Sequence, residues 1–250
     1  MRKALVAANW KMHGSLAQVH QYLQNLKVLE TVESVLLPPS LFLTAALEHA
    51  PHGLACGVQD IGFAQAGAHT GEIAAEMVAE LGGRWAIVGH SERRLDQHES
   101  DELIAQKTAA ALQGGLQPIV CVGETLAERQ AGQEKAVVER QLAAVLAHVA
   151  CADLASAAIG YEPVWAIGTG ETASPEQAQE MHAFLRAQLM AADAQAGQAI
   201  RIVYGGSVKP ANASELFAQR DIDGGLVGGA SLDAVDFSAI IAAAGNKSAQ

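Results

Sequence analysis

Three residues able to move protons or hold charge stand at the ends of apolar runs: Glu162 in YEPVW, His90 in GHSERR and Lys11 in NWKMHG. Glu162 lies between Tyr161 and Pro163. An ionised carboxylate there costs stability unless it is paired or used. Such an acid suits abstraction of a proton, with a salt-bridge partner as its plainer role. His90 is followed by Ser-Glu-Arg-Arg, which reads as a helix start, so backbone N–H groups would point towards the imidazole. A satisfied structural histidine is the plainer reading. Lys11 follows a strand-like run directly, with Asn9 two residues before it. It suits stabilisation of developing negative charge, or is simply solvated.

Glycines add a second kind of chemistry. Gly205-Gly206-Ser207 and Gly228-Gly229 each follow an apolar run. Without a Cβ, backbone N–H groups approach an anion closely, and a short helix beyond presents its positive end. Tight turns are the alternative. GTGETA (168–173) has the form of a dinucleotide fingerprint, but Trp165-Ala166-Ile167 separates it from the strand end, so no such cofactor is expected. The nine histidines have no HExxH spacing, and no metal is expected.

These residues need elements that bring them together. Short β-rich runs recur at 4–10, 33–39, 54–60, 85–90, 117–123, 157–163, 200–206 and 224–230, separated by Ala-, Leu-, Gln- and Glu-rich stretches. The runs lack strict alternation, which suits strands covered on both faces. In 175–192, Ala178, Met181, Leu185 and Leu189 share one helical face. Ser174 as N-cap, Pro175 at the first position and Gln177 completing a capping box mark its start. Eight β-α units of roughly 30 residues each predict parallel strands with crossover helices. One closed (β/α)8 barrel over 1–250 is expected, with an open doubly wound sheet as the alternative. In a barrel the C-terminal strand ends share one face, so the polar residues converge on one pocket.

Composition bounds the rest. The net charge is −11 over 250 residues, which argues against nucleic acid or an anionic membrane as partner. A small anionic substrate is compatible if a local positive site exists. Cys56, Cys121 and Cys151 are far apart and odd in number, as expected of reduced, buried thiols. The apolar run before Asn9 is too short for a signal sequence, and no run is long enough to span a bilayer. A soluble, cytoplasmic protein is expected. The long loop 60–72 carries Ile61 and Phe63, which suggest a partner surface or a self-packed loop.

AANWKMHG, GHSERR, YEPVWAIGTG, VYGGSVKP and GGLVGGASL resemble the triosephosphate isomerase family in order and spacing, across essentially the whole chain. The resemblance implies a cofactor-free interconversion of dihydroxyacetone phosphate and glyceraldehyde 3-phosphate. Glu162 would be the base, His90 the electrophile, and Asn9 and Lys11 would bind substrate and stabilise charge. Gly168, Ser207, Gly228 and Gly229 would give amides to the phosphate. The segment after Glu162 would be a lid, stiff at Pro163-Val164-Trp165 and free at Gly168-Thr169-Gly170. A homodimer is implied, with Thr70 near the Lys11 region of the partner subunit. His13 and His69 depart from the residues the family often has, Asn and Tyr. A Schiff-base aldolase-type barrel using Lys11, or a non-catalytic phosphosugar-binding protein, are the alternatives.

Overall fold

The structure is a computed structural model and describes residues 2–167 and 172–247. Eight strands form: β1 Ala4–Asn9, β2 Val32–Leu37, β3 Leu54–Val58, β4 Trp85–Val88, β5 Gln117–Val122, β6 Ala158–Tyr161, β7 Arg201–Tyr204 and β8 Gly224–Val227. All pair in parallel and in sequence order, and β1 pairs with β8, which closes the barrel. The open-sheet alternative is thereby excluded. Among the described residues no helix is long and apolar enough to cross a membrane.

The two apolar faces of each strand serve two cores. Leu5, Ala7, Val35, Leu37, Trp85, Ile87, Ile119, Val203 and Leu226 fill the inside of the barrel. Their neighbours along the strands, such as Val6, Leu36, Val88, Ile159 and Ile202, face the surrounding helices. A side-chain period of two with both faces buried is why the runs show no polar alternation. Each fully buried Val, Leu or Ile contributes roughly 1.5–3 kcal/mol. At the other end of the barrel, Arg201 lies 5.2 Å over the Trp85 ring and pairs with Glu33.

Local signals act as expected. The helix Pro175–Ala192 starts at Ser174 with both capping-box bonds in place, and Ala178, Met181, Leu185 and Leu189 are buried. His182 and Arg186 share that buried face, which the apolar spacing does not reveal. The helix Ser91–Asp96 starts directly after His90. Strands β3, β4, β6, β7 and β8 stop two or three residues before their apolar runs do, leaving the polar residues beyond the hydrogen-bonded ladder. Loop 60–72 differs from expectation at Ile61, which is 1% exposed and anchors the loop in the core. Phe63 is 47% exposed and meets the His69 ring edge-on at 5.4 Å, so the loop is partly self-packed.

Candidate active site

The C-terminal strand ends surround a cavity of about 370 Å³. Asn9 ends β1, Lys11 follows it, His90 follows β4, Glu162 follows β6, Ser207 follows β7, and Gly228 and Gly229 follow β8; all line it. Gly168 lies outside the described residues. Thr70 is exposed on its loop and is not part of this wall.

Glu162 is fixed at both ends. Its backbone N–H donates to the Val122 carbonyl at 2.8 Å, and the Ser91 N–H donates to Oε2 at 2.8 Å. Oε1 lies 3.0 Å from His90 Nε2, yet has no well-aligned hydrogen bond, and the side chain is 2% exposed. One oxygen of a buried carboxylate is thus held by a backbone amide while the other faces the imidazole. Such a group is costly to bury and available to take a proton. Gly205 makes room for it, since a Cβ there would stand 2.9 Å from Glu162 Cγ and 3.2 Å from the Tyr161 carbonyl oxygen.

His90 caps its helix, and its Nδ1 accepts the Glu92 N–H at 3.2 Å. The ring proton therefore resides on Nε2, on the Glu162 side. Burial, the largest single influence, disfavours the imidazolium, but the Glu162 and Glu92 carboxylates together outweigh it, so the His90 pKa stands above its ordinary value in this arrangement. The tie from Glu92 N–H acts the other way, because a protonated Nδ1 has no lone pair to accept it.

Lys11 takes a backbone conformation rare for a residue with a side chain, with φ 52. Asn9 Oδ1 accepts its N–H at 2.9 Å, and Gln59 Nε2 donates to its carbonyl at 2.9 Å and to that of Leu37 at 2.9 Å. Its Nζ reaches Glu92 Oε1 at 2.6 Å, and the stem passes Gly228, whose added Cβ would meet Lys11 Cε at 3.6 Å. Around Gly229 the space is open. Trp10 Nε1 donates to the Ser231 carbonyl at 3.2 Å, joining the end of β1 to the short helix Gly229–Leu232.

Beyond Glu162, the short turn Val164–Ala166 is tied to a buried acid. Glu124 is fully buried and accepts from Tyr161 OH at 3.0 Å and from Trp165 Nε1 at 2.8 Å, while Arg129 pairs with it at 3.1 Å. Gln59 and Glu124 support the site although no sequence signal marks them, and Ser91, Glu92 and Gly205, which the sequence marks as a helix start and a glycine turn, also hold Glu162, His90 and Lys11 in place. His13, a departure from the family pattern, lines the cavity.

A closed eight-stranded parallel barrel with an acid, an imidazole and an ammonium at the carboxyl ends of its strands defines a (β/α)8-barrel enzyme. The sequence model of triosephosphate isomerase matches residues 4–244. Triosephosphate isomerase of Stenotrophomonas maltophilia (strain K279a) is 54% identical over 98% of this chain and 99% of its own length. Those of Xanthomonas euvesicatoria pv. vesicatoria (strain 85-10) and Xanthomonas campestris pv. campestris (strain 8004) are 52% and 50% identical over the same shares. The chain belongs to the triosephosphate isomerase family.

Proposed function

We propose that this protein, one barrel domain acting in the cytoplasm, interconverts dihydroxyacetone phosphate and D-glyceraldehyde 3-phosphate by proton transfer through an enediolate, without cofactor or metal. The observation that carries the reading is the buried Glu162 carboxylate, 3.0 Å from an imidazole nitrogen whose ring partner is tied to a helix N–H.

Glu162 takes a proton from the carbon next to the substrate carbonyl and returns it to the neighbouring carbon. His90 Nε2–H and the Lys11 ammonium, with Asn9, stabilise the oxygen that gains charge. The amides of Ser207, Gly228 and Gly229, with Gly168 from the lid, hold the phosphate. To reach substrate, the carboxylate must leave the Ser91 amide, where it is now parked. Its departure removes the nearer of the two carboxylates that favour imidazolium, Glu92 Oε2 remaining 3.6 Å from Nδ1, while burial and the Glu92 N–H favour the neutral ring, as a donor to an enediolate should be. The Schiff-base alternative is disfavoured, because Lys11 Nζ is engaged by Glu92 Oε1 at 2.6 Å.

Glu162→Asp withdraws the carboxylate by about one C–C bond, and a displacement near 1 Å can cost ~10²-fold in rate. A coupled assay is expected to show kcat falling on that scale with KM changing much less. Activity within a factor of about two of wild type removes Glu162 from the role. We also propose a homodimer through loop 60–72, supported by half-exposed Phe63 on a loop anchored by Ile61. Sedimentation should find wild type dimeric and Thr70→Arg monomeric; a dimer in both denies the loop that role.

A further inference from the structure

The distance between the acid and the imidazole has its own fixture beneath the cavity. Arg94, on the helix that His90 caps, spends its guanidinium on three acceptors from three different elements. Nε donates to the Gly89 carbonyl at 2.9 Å, Nη2 to the Cys121 carbonyl at 2.8 Å, and Nη1 to Asp101 Oδ1 at 2.7 Å. The Gly89 carbonyl belongs to the peptide that carries the His90 nitrogen. Gly89 itself has φ 72, and an added Cβ would meet Ile104 Cγ2 at 2.7 Å, so this turn has one tightly packed conformation. Cys121 lies on β5, one residue before the Val122 carbonyl that accepts the Glu162 N–H at 2.8 Å. The helix bearing Arg94 also supplies the Ser91 N–H on which the Glu162 carboxylate rests.

We propose that Arg94 is a positioning residue that sets the His90 to Glu162 spacing by clamping the end of β4 to β5. Asp101 holds the guanidinium in plane and is held in turn by Arg140. The inference rests on the roles given above to Glu162 and His90, and no substrate contact by Arg94 is implied. A guanidinium suits the task because its planar fork serves three acceptors in fixed directions, which an ammonium on a flexible stem does not. With a side chain 14% exposed, the bonds are shielded from competing water, and burial draws the Arg94 pKa down from its ordinary value. Apart from Gly168, the proposed phosphate contacts follow β7 and β8, elements this clamp does not touch.

The test is Arg94→Lys, with Asp101→Asn as the milder variant and Glu162→Gln as reference. Competent sites are counted by titration with a tight-binding enediolate analogue, so that partial misfolding does not pass for lost kcat. For Arg94→Lys, kcat per competent site should fall roughly 10–100-fold with KM within about threefold, as expected when reacting groups are misplaced but binding survives. The Nε2 proton resonance of His90 should shift. Asp101→Asn should move both readouts the same way by less, and it serves alone if Arg94→Lys does not fold. A wild-type rate per site with an unmoved resonance overturns the proposal, as does a KM that rises as much as kcat falls. If Glu162→Gln stays near wild type, the base assignment fails and the positioning role with it. If Glu162→Gln is inactive while Arg94→Lys keeps its rate per site, the positioning role alone fails.

Discussion

Lys11 shows how much support one side chain draws from its neighbours. A non-glycine residue in the left-handed region costs on the order of 1–3 kcal/mol and persists only where its surroundings determine it. Here Asn9 Oδ1 holds one side of the peptide and Gln59 the other. Replacing the ammonium takes the net charge from −11 to −12, which repels a phosphorylated substrate with less local compensation. Lys11→Met is therefore expected to lower kcat/KM by about a hundredfold or more, with KM rising, in steady-state kinetics. Borohydride added with substrate should trap no adduct on wild type; a trapped lysine would restore the Schiff-base reading. Glu162, His90 and Lys11 are legible in the sequence because each is a polar break at the end of an apolar run. Gln59 is not, since in GVQDIG it looks like any loop residue, and only the register of β3 against β2 carries it to the Lys11 carbonyl. The Ser91 contribution is a backbone N–H, on which the side-chain type bears little.

At the scale of elements, turns matter as much as strands. The bend after β7 works because Gly205 lacks the Cβ that would stand 2.9 Å from Glu162 Cγ. Gly205→Ala should push the carboxylate off the Ser91 amide, costing about 1–3 kcal/mol of stability through overpacking. Its kcat should fall at least about tenfold. Denaturant unfolding and kinetics on the same preparation check both, and an unchanged kcat would mean that the carboxylate does not need this space. The sequence shows the start of Pro175–Ala192 because capping chemistry is local. It does not show that His182 and Arg186 lie on the buried face, because their burial depends on partners distant in sequence: Asp221, Asp223 and the carbonyls of Gly197 and Ile200. The same limit explains Ile61, which the loop composition presents as exposed and the core absorbs.

For the molecule as a whole, His182 ties stability to pH. Its ring is fully buried between Tyr161 and Tyr204, Nδ1–H donates to the Asp221 carbonyl, and burial pushes its pKa down to about 3. An unfolded histidine takes up a proton near 6.5, whereas the folded one does not until about 3. Its contribution is therefore complete above pH 6.5 and is lost progressively as pH falls towards 3, by up to about 1.4 kcal/mol per pH unit. Denaturant titrations of wild type and His182→Gln between pH 7 and pH 4 should show the stability difference moving against wild type below pH 6.5; a constant difference denies the neutral ring. Closure of the barrel has a consequence of another kind. The sheet is sealed by β1 against β8, and the Arg2–Asp223 pair beside that seam spans 221 residues of chain. On a ribosome, at ~5–20 residues per second, β1 emerges roughly 10–40 s before its partner exists. Throughout that interval the nascent protein carries an open strand edge able to pair with a neighbouring chain, so the first strand needs shielding during synthesis that the finished barrel does not.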